Sequence, residues 1–189
     1  MMEANPVKEF WKRVMNYGAI LGLIVVLVKI FLYLLDIQPT GVKSNLFLGV
    51  LYIALYVGIL MSIGKHYRDK FSEGYLSYAQ SLRLLVFVIF FGSIIVSFWE
   101  FILIKYIDPE LPLRIMEETR TNLEEFMLRN GTDEARIDQT LRMLDGEVEP
   151  PNLGSFVTSI FWRTFLGFIL SLILAIFIRR EKPMFEENN

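Results

Sequence analysis

The chain has no cysteine and a single histidine among its 189 residues. Without thiols there are no disulfides, no thiolate metal sites and no cysteine nucleophile. The lone histidine, His66, lies in "KHYRDKF" with Asp69 nearby but no further ligand at metal spacing, so a solvated interfacial loop is expected there rather than a metal site. There is no phosphate-binding glycine loop and no nucleophile motif. No small-residue cleavage site closes the first apolar stretch, which at 22 residues exceeds a signal core and is expected to remain as a span. No catalytic residue, cofactor, metal or nucleic-acid partner is therefore expected, and the chain is not expected to be an enzyme.

What the chain does have is apolar length. Hydrophobic residues make up 53% of it, yet the mean hydropathy is only +0.42, because the apolar residues are gathered into four runs. These are Val14 to Leu35, Leu46 to Ile63, Leu84 to Ile104 and Phe156 to Ile178. Each is long enough to cross roughly 30 Å of hydrocarbon at about 1.5 Å per residue. Backbone groups in lipid must be satisfied within their own segment, so the runs are expected to be helices. The expected fold is an all-α integral membrane protein. It is a single domain over residues 1–189, a four-transmembrane-helix bundle with an extracytoplasmic helical hairpin at 105–155, between spans 3 and 4.

Charge sets the expected orientation. Lys8, Lys12 and Arg13 precede the first span, Lys65, Arg68, Lys70 and Arg83 surround the second turn, and Arg179, Arg180 and Lys182 follow the last span. The loop after the first span has only Lys43, and the 105–155 segment sets six basic residues among twelve acids. The positive-inside rule then puts both termini in the cytoplasm and the acidic segment outside. Within that segment Met116, Leu123 and Met127 recur at helical intervals until Gly131 breaks the pattern. A second short helix is expected with Thr132 as N-cap, Asp133 and Glu134 in its first turn, and Ile137, Leu141 and Leu144 on one face. Pro150 and Pro151 end it. Glu117, Glu118, Glu124 and Glu125 read as the wet face of the first helix. Trp11, Trp99, Trp162, Tyr75 and Tyr106 fall near span ends, as interfacial aromatic anchors do.

Several stretches together, "NYGAILGLI", "GYLSYAQSLRLLVFVIFFGSIIVSF", "YIDPEL" and "NGTDEARIDQTLRML", resemble the bacterial inner-membrane family catalogued as domain of unknown function 4199. The resemblance covers nearly the whole chain. It implies a four-span inner-membrane protein, mainly of Bacteroidota, with no established biochemical activity and no catalytic residues to carry over.

The polar residues inside the spans carry the remaining information. Ser93, Ser97 and Glu100 share one face of span 3, and Ser159, Arg163, Gly167, Ser171 and Ala175 recur every four residues on span 4. Ala54, Gly58 and Ser62 do the same on span 2, while span 1 has Gly18, Gly22 and, a heptad beyond, Lys29. Small residues at this spacing allow membrane helices to approach closely, so these stripes are expected to face the inside of the bundle. Lys29, Glu100 and Arg163 lie six, four and seven residues from the expected outer ends of their spans, so all three share a level within about 10 Å of the boundary. An isolated charge in hydrocarbon costs at least ~2.5–3.5 kcal/mol, and Glu100 is expected to pair with Arg163, Lys29 or both; snorkelling to interfacial water is the alternative. The expected role is an accessory or scaffold subunit that meets the lipid bilayer and another membrane protein or a second copy. The alternative is a small transporter or lipid-binding protein using the charge cluster, although no inverted repeat or broken helix marks a transporter.

Overall fold

The structure, a computed structural model, describes residues 6–144 and 152–182. Among them are six α-helices and one π-helical turn: α1 Pro6–Leu34, α2 Val42–Phe71, α3 Tyr78–Ile102 followed by the π turn Leu103–Ile107, α4 Leu111–Arg129, α5 Glu134–Leu144 and α6 Leu153–Ile178. Four of these, α1, α2, α3 with its π turn, and α6, are long and apolar enough to cross a membrane. All four begin several residues before their apolar runs, and at the starts of α3 and α6 capping groups favour this extension. The Ser77 hydroxyl accepts from the Gln80 N–H while the Gln80 side chain accepts from the Ser77 N–H, and Asn152 and Ser155 form the same reciprocal pair at the start of α6.

α3 is the central helix, with the largest buried share of the four spans. It packs against α1 on one side and antiparallel α6 on the other. Close approach at both seams depends on glycine. A Cβ at Gly22 would lie 2.8 Å from Ile95 Cβ and 2.9 Å from the Gly92 carbonyl oxygen, and one at Gly167 would lie 2.5 Å from Ile89 Cγ2. Gly18 is likewise buried, against Phe91. In lipid, where burial of apolar surface gives little drive, this contact of backbone with side chain is what holds the helices together.

α2 is different. Most of its buried residues, Leu60, Ile63, Gly64 and Tyr67, lie in its C-terminal half, with Gly64 against Ile178, and in the other half only Leu48 is buried. The expected inward stripe on this helix is corrected: Ala54, Gly58 and Ser62 are exposed, and nothing stands within 4 Å of a Cβ built at Gly58. They lie on the side of the helix away from Leu60, Ile63 and Tyr67. The whole circumference of α2 is apolar or small at this height, so periodicity alone does not say which face turns inward.

At the end where α1 begins and α6 finishes, α6 is pinned to the turn between α2 and α3. Leu76 and Arg180 exchange two backbone hydrogen bonds of 2.8 Å, Arg68 donates to the Ile178 carbonyl and Tyr78 to the Leu172 carbonyl. At the other end α4 and α5 form a helical hairpin, turned at Gly131 with φ +70. Ile137 and Leu141 are buried, whereas Met116, Leu123 and Met127 are half-buried. The cap of α5 is Asp133 rather than the expected Thr132, since the Asp133 carbonyl accepts from the Ile137 N–H. Pro150, Pro151 and the side chain of Leu144 lie outside the described residues.

Candidate functional site: an intramembrane charge triad beside a cleft

The structure brings Lys29, Glu100 and Arg163 together. Lys29 Nζ stands 2.8 Å from Glu100 Oε1, and an Arg163 terminal nitrogen donates to both oxygens of the same carboxylate. Three helices therefore converge on one acid. Their side chains are 25%, 23% and 30% exposed, so none is held free of the bundle as snorkelling would have it. Lys29 also lies over the ring of Tyr52 at 5.4 Å, and this brings α2 to the same level through a cation–π contact.

How Arg163 reaches the carboxylate is a matter of side-chain direction. Gly167 opposes Ile89 and Phe156 meets Phe101, so the Arg163 backbone stands across from the Ser93–Ser97 stretch and not from Glu100 itself. Helical side chains lean toward their own N-terminus, which on antiparallel α6 is the α4–α5 end. The long Arg163 side chain therefore climbs to Glu100. Along this seam Ser93, Ser97 and Ser171 are buried. Ser171 donates to the Gly167 carbonyl at 2.7 Å, whereas the hydroxyls of Ser93 and Ser97, and Arg163 Nε, are buried without a partner among the described residues.

Above the triad lies a cleft of about 390 Å³ among α1, α2, the end of α3 and the start of α4, with Lys29 and Glu100 on its lining. Its far edge is tied by a second polar knot. Tyr33 OH donates to Asp108 Oδ2 at 3.0 Å, and Arg114 donates to the same oxygen at 2.7 Å. The Asp108 bond pushes the Arg114 guanidinium above its already high range. This knot joins α1, the segment after the π turn, and α4 across a sequence separation of 75 residues, and sequence reasoning missed it. The only signal for it was an acid directly after a span in "YIDPEL".

The remaining predicted residues are spread out. His66 sits edge-on to the rings of Tyr17 and Phe71, and Asp69 pairs with Arg68 instead of His66. Of the aromatic anchors, Trp11 packs on Phe87, Trp162 and Tyr106 are exposed, Tyr75 lies beneath Arg180, and Trp99 lines the cleft with a buried, unpaired indole N–H.

A bundle of four apolar helices around a shared charge triad defines a multi-pass helical membrane protein. The chain belongs to the family of proteins of unknown function DUF4199, which matches residues 16–180. No curated protein matches the chain, and no solved structure does.

Proposed function

We propose that this chain is a non-enzymatic accessory or scaffold subunit of a bacterial cytoplasmic membrane, with both termini and the α2–α3 turn in the cytoplasm, and that it assembles with another membrane protein through the outward face of α2. The observation that carries the reading is the Ala54, Gly58 and Ser62 stripe, which is bare in the isolated chain. Small residues four apart give no advantage against lipid tails. Against a second helix they permit close backbone approach. The charge triad fits the same role, because Glu100 already accepts from two cations and so is poorly placed to act as a base. The orientation rests on the ten basic residues that flank the ends placed inside.

The test is a photocrosslinker placed at Ala54 in native membranes. A discrete adduct that Gly58→Leu abolishes, while the melting temperature of the purified chain is unchanged, is the expected result. Differently tagged copies separate a second copy from another protein. Crosslinking to lipid alone removes the reading. Reporter fusions at Asn189 and between residues 130 and 138 check the orientation independently.

A further inference from the structure

We propose that the cleft among α1, α2 and the end of α3 binds an anionic phospholipid of the leaflet at the α4–α5 end, with the phosphate against Lys29 and the acyl chain along the apolar walls. The proposal concerns a different surface from the outward face of α2 and stands or falls separately.

Four features point to this ligand. The first is charge: Lys29 and Arg163 against Glu100 sum formally to +1, so the pairing leaves a positive excess in a place where charge is costly. Lys29 has three N–H donors. One faces Glu100, and the Tyr52 ring covers another side at 5.4 Å. The second is an aromatic wall, since Trp99 lines the same cleft and tryptophan favours the headgroup level. The third is depth. Lys29 lies five residues before the end of α1, or about 7 Å along the helix, close to where headgroup gives way to hydrocarbon. The fourth is size and shape. A volume of about 390 Å³ lies within the range of roughly 300–1,000 Å³ that small-molecule ligands occupy. Its walls include apolar residues such as Leu48, and α1 and α2 meet only sparsely, so the cleft has a way in from the side. A phosphate ion would meet the donors but not the apolar walls. A phospholipid meets both.

The experiment uses the full chain in detergent, titrated with short-chain phosphatidylglycerol, short-chain phosphatidylcholine and inorganic phosphate. Native mass spectrometry reads the bound lipid and thermal unfolding reads the fold. Phosphatidylglycerol is expected to bind at one per chain and about tenfold more tightly than phosphatidylcholine, the size of one charge-assisted hydrogen bond. Lys29→Gln should erase that preference and Lys29→Arg should keep most of it. Gly49→Phe is the second variant. Gly49 lines the cleft and a Cβ there meets nothing within 4 Å, so a ring fills the space without displacing the triad. It should abolish lipid binding at an unchanged melting temperature. Equal binding of the two lipids, or full binding by Gly49→Phe, overturns the proposal. Inorganic phosphate binding as tightly as phosphatidylglycerol does so too, by assigning the site to a free anion.

Discussion

Lys29 and Glu100 lie 2.8 Å apart at a level where α1 and α3 run side by side, and the same carboxylate accepts from Arg163 on α6. One acid thus ties three of the four spans. An ion pair in so poorly solvated a setting is worth more for what its loss exposes than for its own attraction.

Glu100→Gln leaves two cations facing a neutral amide. The expected cost is about 1–3 kcal/mol in unfolding from detergent, reduced by the freedom of long basic side chains to move toward water. Adding Arg163→Gln should restore part of the loss, since the uncompensated charge is removed and two amides still hydrogen-bond. Strict additivity in this double-mutant cycle would mean the pair carries no coupling.

The glycine stripes should divide in two. Gly167→Leu places a side chain where Ile89 already stands, and overpacking of this kind costs about 1–3 kcal/mol. Gly58→Leu meets open space and should leave stability unchanged or raise it slightly, because glycine is the poorer helix former by about 1 kcal/mol. Thermal unfolding of the two variants side by side checks the contrast. Equal destabilisation would mean that α2 turns its small stripe inward.

The α4–α5 hairpin should be held at its base. Asp108→Asn removes the charge that Arg114 and Tyr33 share, and Tyr33→Phe removes one of the two donors. Amide exchange in the first turns of α4 is expected to quicken in both variants, more in Asp108→Asn, while α3 and the α1 core are unaffected. No change in either would show that Leu111, buried beneath the hairpin, anchors α4 alone.

Much was legible in the sequence where the signal is one-dimensional. Four apolar runs specify four helices, because a backbone in lipid has no other way to satisfy its hydrogen bonds within one segment. The cost of a bare charge in hydrocarbon made pairing of Lys29, Glu100 and Arg163 the favoured outcome, although the count of residues set the Arg163 backbone level with Glu100 whereas it stands opposite Ser93–Ser97 and its side chain covers the difference. Gly18, Gly22, Ser97, Gly167 and Ser171 could be placed on packing faces because α1, α3 and α6 each carry polar or charged residues that mark a side.

Only the tertiary structure decided the rest. α2 has no such marker at mid-height, and lipid tails are as apolar as its side chains. Which face it turns inward therefore depends on how Leu60, Ile63 and Tyr67 fit against the other helices, and Gly58 was left outside. The partnership of Tyr33 with Asp108 and the bridge of Leu76 to Arg180 join residues far apart in the chain, with no periodic pattern linking them. The cleft beside Lys29 has the same origin. It is a space between helices that part company, and a space has no residues of its own to be read.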